Sequence, residues 1–201
     1  MAGTMPHAIF VETNLVDGGA AAHAAELPGC ATFGPTVDEA VGGMPARALR
    51  FTEWLRSNGE DAPAFVGDNW YEVERGAAGP GPDGRAAFSL DELPPSRDEF
   101  AAWLRWMELA RESLADALDA SGSSDAGAVI RIAAQDIAFA SALGGSAPRV
   151  TDDPVDAAYT ARDALTAALE AAGPGAAGVR RILRLAIADD LRLADRLRSG
   201  G

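Results

Sequence analysis

From Ser96 onward the apolar residues recur with the period of an α-helix, and they keep that period almost to the last residue. Phe100, Leu104, Met107, Arg111, Leu114 and Leu118 mark one helical face, and Val129, Ala133, Ile137, Ala140 and Leu143 mark a second. Val155, Tyr159, Arg162, Leu165 and Leu169 mark a third; Val179, Leu183, Ala186, Leu193 and Leu197 mark a fourth. Ser96-Arg97-Asp98-Glu99 reads as a capping box that opens the run. Asp153-Pro154 starts the third helix, since proline is favoured at the first helical position, and Gly173-Pro174-Gly175 ends it. Four helices with short connections predict an antiparallel bundle.

The front of the chain has another grammar. Residues 7–15 and 20–27 are two apolar runs around Asp17-Gly18-Gly19, the pattern of a β-hairpin. Pro28-Gly29 punctuates, and Cys30 to Phe33 can form a third strand. Thr36 and Glu39 form a second capping box, which predicts a helix with Val41, Met44, Ala48, Phe51 and Leu55 on one face. Pro45 should kink that helix or weaken its first turn. Residues 68–75 suggest one more strand, and the Gly- and Pro-rich stretch that follows reads as a linker. The expectation is α+β: a small strand-hairpin/helix domain over 1–76, a linker over 77–95 and a helical bundle over 96–201.

Composition narrows the function. The net charge is −13, and the chain contains no lysine. Clustered basic residues for phosphate contacts are missing, which disfavours nucleic-acid binding. A lone cysteine, Cys30, excludes an internal disulfide and a multi-cysteine zinc site. No apolar run approaches the roughly 20 residues of a membrane span, and the N-terminus lacks a signal-peptide pattern. A cytoplasmic protein is expected, and the all-arginine, Ala- and Gly-rich composition points to a GC-rich bacterial genome.

The segment Leu27-Pro28-Gly29-Cys30-Ala31-Thr32-Phe33-Gly34-Pro35-Thr36, followed by Glu39-Ala40, resembles the HicB-like α/β fold over about residues 7–57. Residues 96–198 resemble a DinB-like bundle, through Trp106 to Leu114, Val129 to Asp136, and Arg180 to Arg184 leading into Asp189-Asp190. That family includes metal-dependent thiol transferases and isomerases, and the resemblance implies a divalent metal on three histidines. Here those positions read Arg131, Asp189 and Leu193, and no histidine follows His23. Leucine cannot ligate and arginine repels a cation, so no three-imidazole site forms, and no metal or other cofactor is expected.

The vacated site leaves polar residues to account for. Asp189 and Asp190 interrupt the apolar stripe of the last helix, so at least one should point inward. An inward carboxylate is either a general acid or base of raised pKa or half of a buried ion pair with Arg131 or Arg162. Asp136 retains the acidic position five residues after Arg131. Arg162 would bind a carboxylate or phosphate, or else close the same pair. Tyr159 would donate a hydrogen bond or sit at a core rim. Trp103, Trp106, Trp70 and Tyr71 would line a pocket or glue the two domains together. His7 and His23 cannot make a metal site alone, and Cys30 has no local base.

Three readings follow, two of them ahead of the third. One is a metal-independent enzyme acting on a small molecule, in bacterial specialised metabolism. Its catalytic residues would be Asp136, Asp189 and Asp190, and its binding residues Arg131, Arg162, Tyr159, Trp103, Trp106 and Trp70. The other is a non-catalytic small-molecule-binding or regulatory protein. A HicB-like antitoxin-type module ranks third, for want of a DNA-binding segment. The expected partners are a small-molecule ligand and, as a homodimer, a second copy of the chain. An open cavity favours the first reading, and a core closed by an Arg–Asp pair favours the second.

Overall fold

The computed structural model describes residues 6–16, 18–63, 69–79, 84–121, 125–149, 151 and 153–200. The chain is mixed α+β and divides into two compact units, Met1–Leu93 and Pro94–Gly201.

The first unit holds β1 (His7–Thr13), β2 (Ala20–Ala24), β3 (Ala31–Gly34), α1 (Val37–Ser57) and β4 (Trp70–Ala77). The sheet order is β3-β2-β1-β4, with antiparallel neighbours except for β4, which runs parallel to β1. Asp17 of the expected hairpin turn lies outside the described residues. The turn starts earlier, where Asn14 takes the left-handed conformation at φ 58°, one that asparagine tolerates better than most residues. At the second turn Cys30 N–H donates to the Leu27 carbonyl at 2.9 Å, and Gly29 has φ 89°. Proline followed by a positive-φ glycine is the signature of a type II turn; it ends β2 at Ala24 and aims β3 back along the sheet.

Side chains alternate across a strand, so this sheet has two distinct faces. Val11, Ala22 and Thr32 stand opposite one another in the ladder. The Thr32 hydroxyl donates to the Ala40 carbonyl of α1, and a Cβ at Gly43 would meet the Thr32 methyl at 3.1 Å. The alanines of β2 and Gly43 thus let the helix come close. Thr36 caps α1 through a bond from the Glu39 amide, and the helix runs unbroken through Pro45. Its buried face is Ala40, Met44, Ala48, Phe51 and Leu55; Val41, expected there, is half-buried.

The opposite face carries Phe10, Glu12, His23 and Phe33, and here the linker expectation is corrected. Residues 84–93 are a strap folded onto the first unit's sheet. Ala86 and Phe88 are buried with Phe10, and the Phe10 and Phe88 rings stack at 4.9 Å. A 3-10 turn spans Ser89–Glu92, and the Ser89 amide donates to Glu74 at 2.8 Å. A Cβ at Gly76 would lie 2.9 Å from the Ala86 Cβ, so β4 needs a glycine where the strap crosses. Composition hid this, because few apolar residues suffice once a carboxylate anchors the segment.

That carboxylate is Glu12, fully buried on β1 beside the buried apolar residues Ile9, Phe10 and Val11. It accepts from the Ala86 amide at 2.6 Å, from Arg85 Nε at 3.0 and 3.1 Å, and meets His23 Nε2 at 3.3 Å. Burial alone would push its pKa up. The hydrogen bond from His23 and the charge of Arg85 outweigh burial and bring it down to about 2, from an ordinary 4.5.

In the second unit α2 (Arg97–Ser121), α3 (Ala126–Ala142), α4 (Pro154–Ala172) and α5 (Val179–Arg198) surround a common core. Ser96 and Glu99 form the reciprocal capping box: the Glu99 amide donates to Ser96 Oγ at 3.2 Å and the Ser96 amide to Glu99 at 2.8 Å. Asp125 caps α3, and Asp153 caps α4 ahead of Pro154. The packing departs from a simple succession of neighbours. α2 lies along α5 and α3 along α4, while α2 and α3 share next to no contact, nor do α4 and α5. No helix among the described residues is long and apolar enough to cross a membrane.

A depressed carboxylate stabilises the fold above its unfolded pKa and loses that contribution as pH falls through its folded one. Glu12 should therefore cost the first unit about 3 kcal/mol between pH ~4.5 and ~2. Hydrogen exchange of the β1 amides, corrected for intrinsic rates, should show protection falling across that window, with a flatter profile in Glu12→Gln.

Candidate functional site

One arginine or aspartate from each helix of the second unit meets in its core. Arg111 (α2), Asp136 (α3), Arg162 (α4) and Asp190 (α5) are each no more than 3 % exposed. Each sits on its helix's apolar stripe: Arg111 lies one turn from Met107 and Leu114, and Asp190 lies between Ile187 and Leu193. The helical period that buries those neighbours carries the charge inward with them.

The four side chains form a closed network. Arg111 grips Asp190 with two bonds, Nε to Oδ2 and Nη2 to Oδ1, both 3.0 Å. Arg162 grips Asp136 in the same manner, Nε to Oδ2 at 3.0 Å and Nη2 to Oδ1 at 3.4 Å. The pairs cross-link through Arg111 Nη2 to Asp136 Oδ2 and Arg162 Nη2 to Asp190 Oδ2, each 3.0 Å. The remaining nitrogens find carbonyls: Arg111 Nη1 donates to Ala158 at 2.5 Å and Arg162 Nη1 to Met107 at 3.2 Å.

Two guanidiniums and two carboxylates sum to zero, and every arginine nitrogen has an acceptor. Burial pulls the Arg111 pKa down, but the carboxylates of Asp190 and Asp136 outweigh it and keep the guanidinium charged. Burial pushes the Asp136 carboxyl up, against the pull of Arg162 and Arg111. Carboxylates whose oxygens are occupied by guanidinium N–H groups are poorly placed to take a proton from a substrate. The chemistry of this arrangement is the joining of helices.

The other sequence-selected residues fall around this network unevenly. Asp190 pairs with Arg162, as the ion-pair reading expected, but Arg131 takes no part: it lies on the exposed side of α3. The Asp189 carboxylate is half-buried and accepts instead from Gln135 Nε2 at 3.0 Å. The expected Arg131–Asp189 pairing is therefore corrected, because the residue of α3 that meets Asp189 is one turn further on. Leu193 is buried in the core with Leu114, Val129 and Leu197. Trp103 and Trp106 are buried, with the Arg180 guanidinium 4.7 Å from the Trp103 ring centre. Tyr159 is 41 % exposed, too open for a core rim. Trp70 belongs to the first unit, where its ring lies 4.8 Å from that of His7. Cys30 is fully buried, and burial raises its thiol pKa to about 12.

Among the described residues no group of three or more His, Cys, Asp or Glu side chains is placed to hold a metal ion. Comparison with known proteins gives no match among family models, curated proteins or solved structures.

Arg111 was the residue that sequence reasoning passed over. It stood in the apolar stripe of the first helix, and a charge there calls for a counter-charge on a facing stripe.

Removing one member of a buried ion cluster strands its partner's charge, which typically costs about 3–5 kcal/mol, whereas an exposed pair is worth about 0–1. Asp190→Ala should therefore destabilise the second unit by about 3–5 kcal/mol in urea unfolding. Replacing the whole set by Met and Leu should cost less than that single change. A loss below about 1 kcal/mol for Asp190→Ala would mean that the cluster is solvated.

Proposed function

We propose that this chain is a HicB-like unit joined to a DinB-like bundle, and that it acts as a non-catalytic small-molecule-binding or regulatory protein. The observation that supports this is the saturation of Arg111, Asp136, Arg162 and Asp190 by one another. These are the inward polar groups an enzyme of this design would use, and their hydrogen-bonding capacity is spent inside the core. The resemblance to the DinB-like family supplies the scaffold, and Arg131, Asp189 and Leu193 in place of its histidines take away the metal chemistry.

One residue supports the other reading, a metal-independent enzyme of small-molecule metabolism. Asp189 is half-buried and held by a neutral amide rather than by the arginines of the quartet. A general acid or base in this unit would be Asp189, not Asp136 or Asp190.

Incubation with a defined mixture of small metabolites separates the two readings. Compounds retained on the protein and recovered with unchanged mass support the binding role. A product that accumulates with time and is lost in Asp189→Asn, with the unfolding transition unchanged, overturns it in favour of the enzyme.

A further inference from the structure

The quartet has a symmetry that four converging charges do not require. Arg111 and Arg162 make matching sets of bonds: two to one aspartate, one across to the other, and one to a carbonyl. The carbonyls match as well. Ala158 lies one turn ahead of Arg162 and accepts from Arg111; Met107 lies one turn ahead of Arg111 and accepts from Arg162. Exchanging α2 with α4 and α3 with α5 leaves this network unchanged. Helix packing obeys the same exchange, since α2 along α5 becomes α4 along α3.

The amino-acid sequence obeys it too. Laying Arg111 on Arg162 sets Ala110, Leu114, Ala117, Leu118 and Ala120 on identical residues: Ala161, Leu165, Ala168, Leu169 and Ala171. Glu112 and Asp119 fall on Asp163 and Glu170. Laying Asp136 on Asp190 sets every buried residue of α3 on a buried residue of α5, from Ala128 on Ile182 to Ala140 on Ala194. Alanine and leucine recur on any buried helix face. A buried arginine in the first helix and a buried aspartate in the second, in both pairs, do not follow from patterning, because such residues are almost never fully buried.

We infer that residues 97–200 are two tandem copies of one helix pair, α2–α3 and α4–α5, interlocked about a twofold axis through the quartet. Each copy is open. Its two helices scarcely touch and pack instead against the other copy, so the partner that each pair fits is a second copy of itself, supplied by the same chain. Gln135 and Asp189 are equivalent positions, and the bond between them spans the axis. There the copies have diverged in a polar residue.

Two sets of full-length variants test this. Arg111→Met with Asp190→Leu removes one two-bond pair, and Arg162→Met with Asp136→Leu removes its counterpart. The two should lower the urea midpoint of the helical unit equally. Arg111→Met with Arg162→Met, which strands two carboxylates, should lower it further. In the second set the copies change places: residues 153–199 precede residues 97–142, joined by the connection that now links α3 to α4. Equivalence of the copies requires this reordered chain to unfold cooperatively, with the same helical signal by circular dichroism. A more than twofold difference between the matched double variants, or loss of cooperative unfolding on reordering, overturns the inference.

Discussion

The formal charges of Arg111, Asp136, Arg162 and Asp190 lie together in the core of the helical unit, out of reach of water. Removing each from water costs several kcal/mol even after relaxation, and that cost is recovered only with the other three in register. The requirement is stricter than that of apolar packing. A leucine tolerates a small sliding of its helix, whereas a guanidinium that slides by an ångström loses two-bond geometry with one aspartate and contact with the other. Buried ion clusters are weak sources of net stability, and they penalise wrong arrangements severely. Here the penalised arrangement is any in which α2 fails to meet α5 or α3 fails to meet α4.

The same logic works at smaller scale in the first unit. The strap over residues 84–93 brings little apolar surface, chiefly Ala86 and Phe88, and it is tied down by Glu12 through a backbone amide and Arg85. In both units a charged residue inside an apolar pattern recruits a distant segment that hydrophobicity alone would leave unassigned.

Much of the fold was legible from local rules. The capping residues Thr36, Ser96 and Asp153, the Pro28-Gly29 turn and the helical periods placed elements close to where they lie. What escaped was pairing at a distance. The strap looked like linker because Gly- and Pro-rich composition reports backbone freedom and says nothing of the anchor on β1. At the candidate site, Asp136, Asp190 and Arg162 were legible as inward polar residues. Arg111 was not singled out, although it shares their signature of a charge on an apolar stripe. Arg131 and Asp189 stand where the DinB-like resemblance places ligands of one ion, which suggests that they meet. A metal draws ligands to a point; without one, the α3 side chain that reaches Asp189 is Gln135, one turn past Arg131.

The order of packing bears on how the chain comes into being. The first helix of the second unit rests on the last, α2 along α5, and the core aspartate of α5 lies 79 residues after the arginine it binds. Domains generally fold as units during synthesis, in order of their emergence. The first unit can close its sheet once its strap has left the ribosome. α2 then lacks its main packing partner, α5, until nearly all of the second unit has been made. Throughout that interval its apolar stripe and the Arg111 guanidinium are exposed together. The Arg111 guanidinium completes its bonds only when the last aspartate, Asp190, arrives.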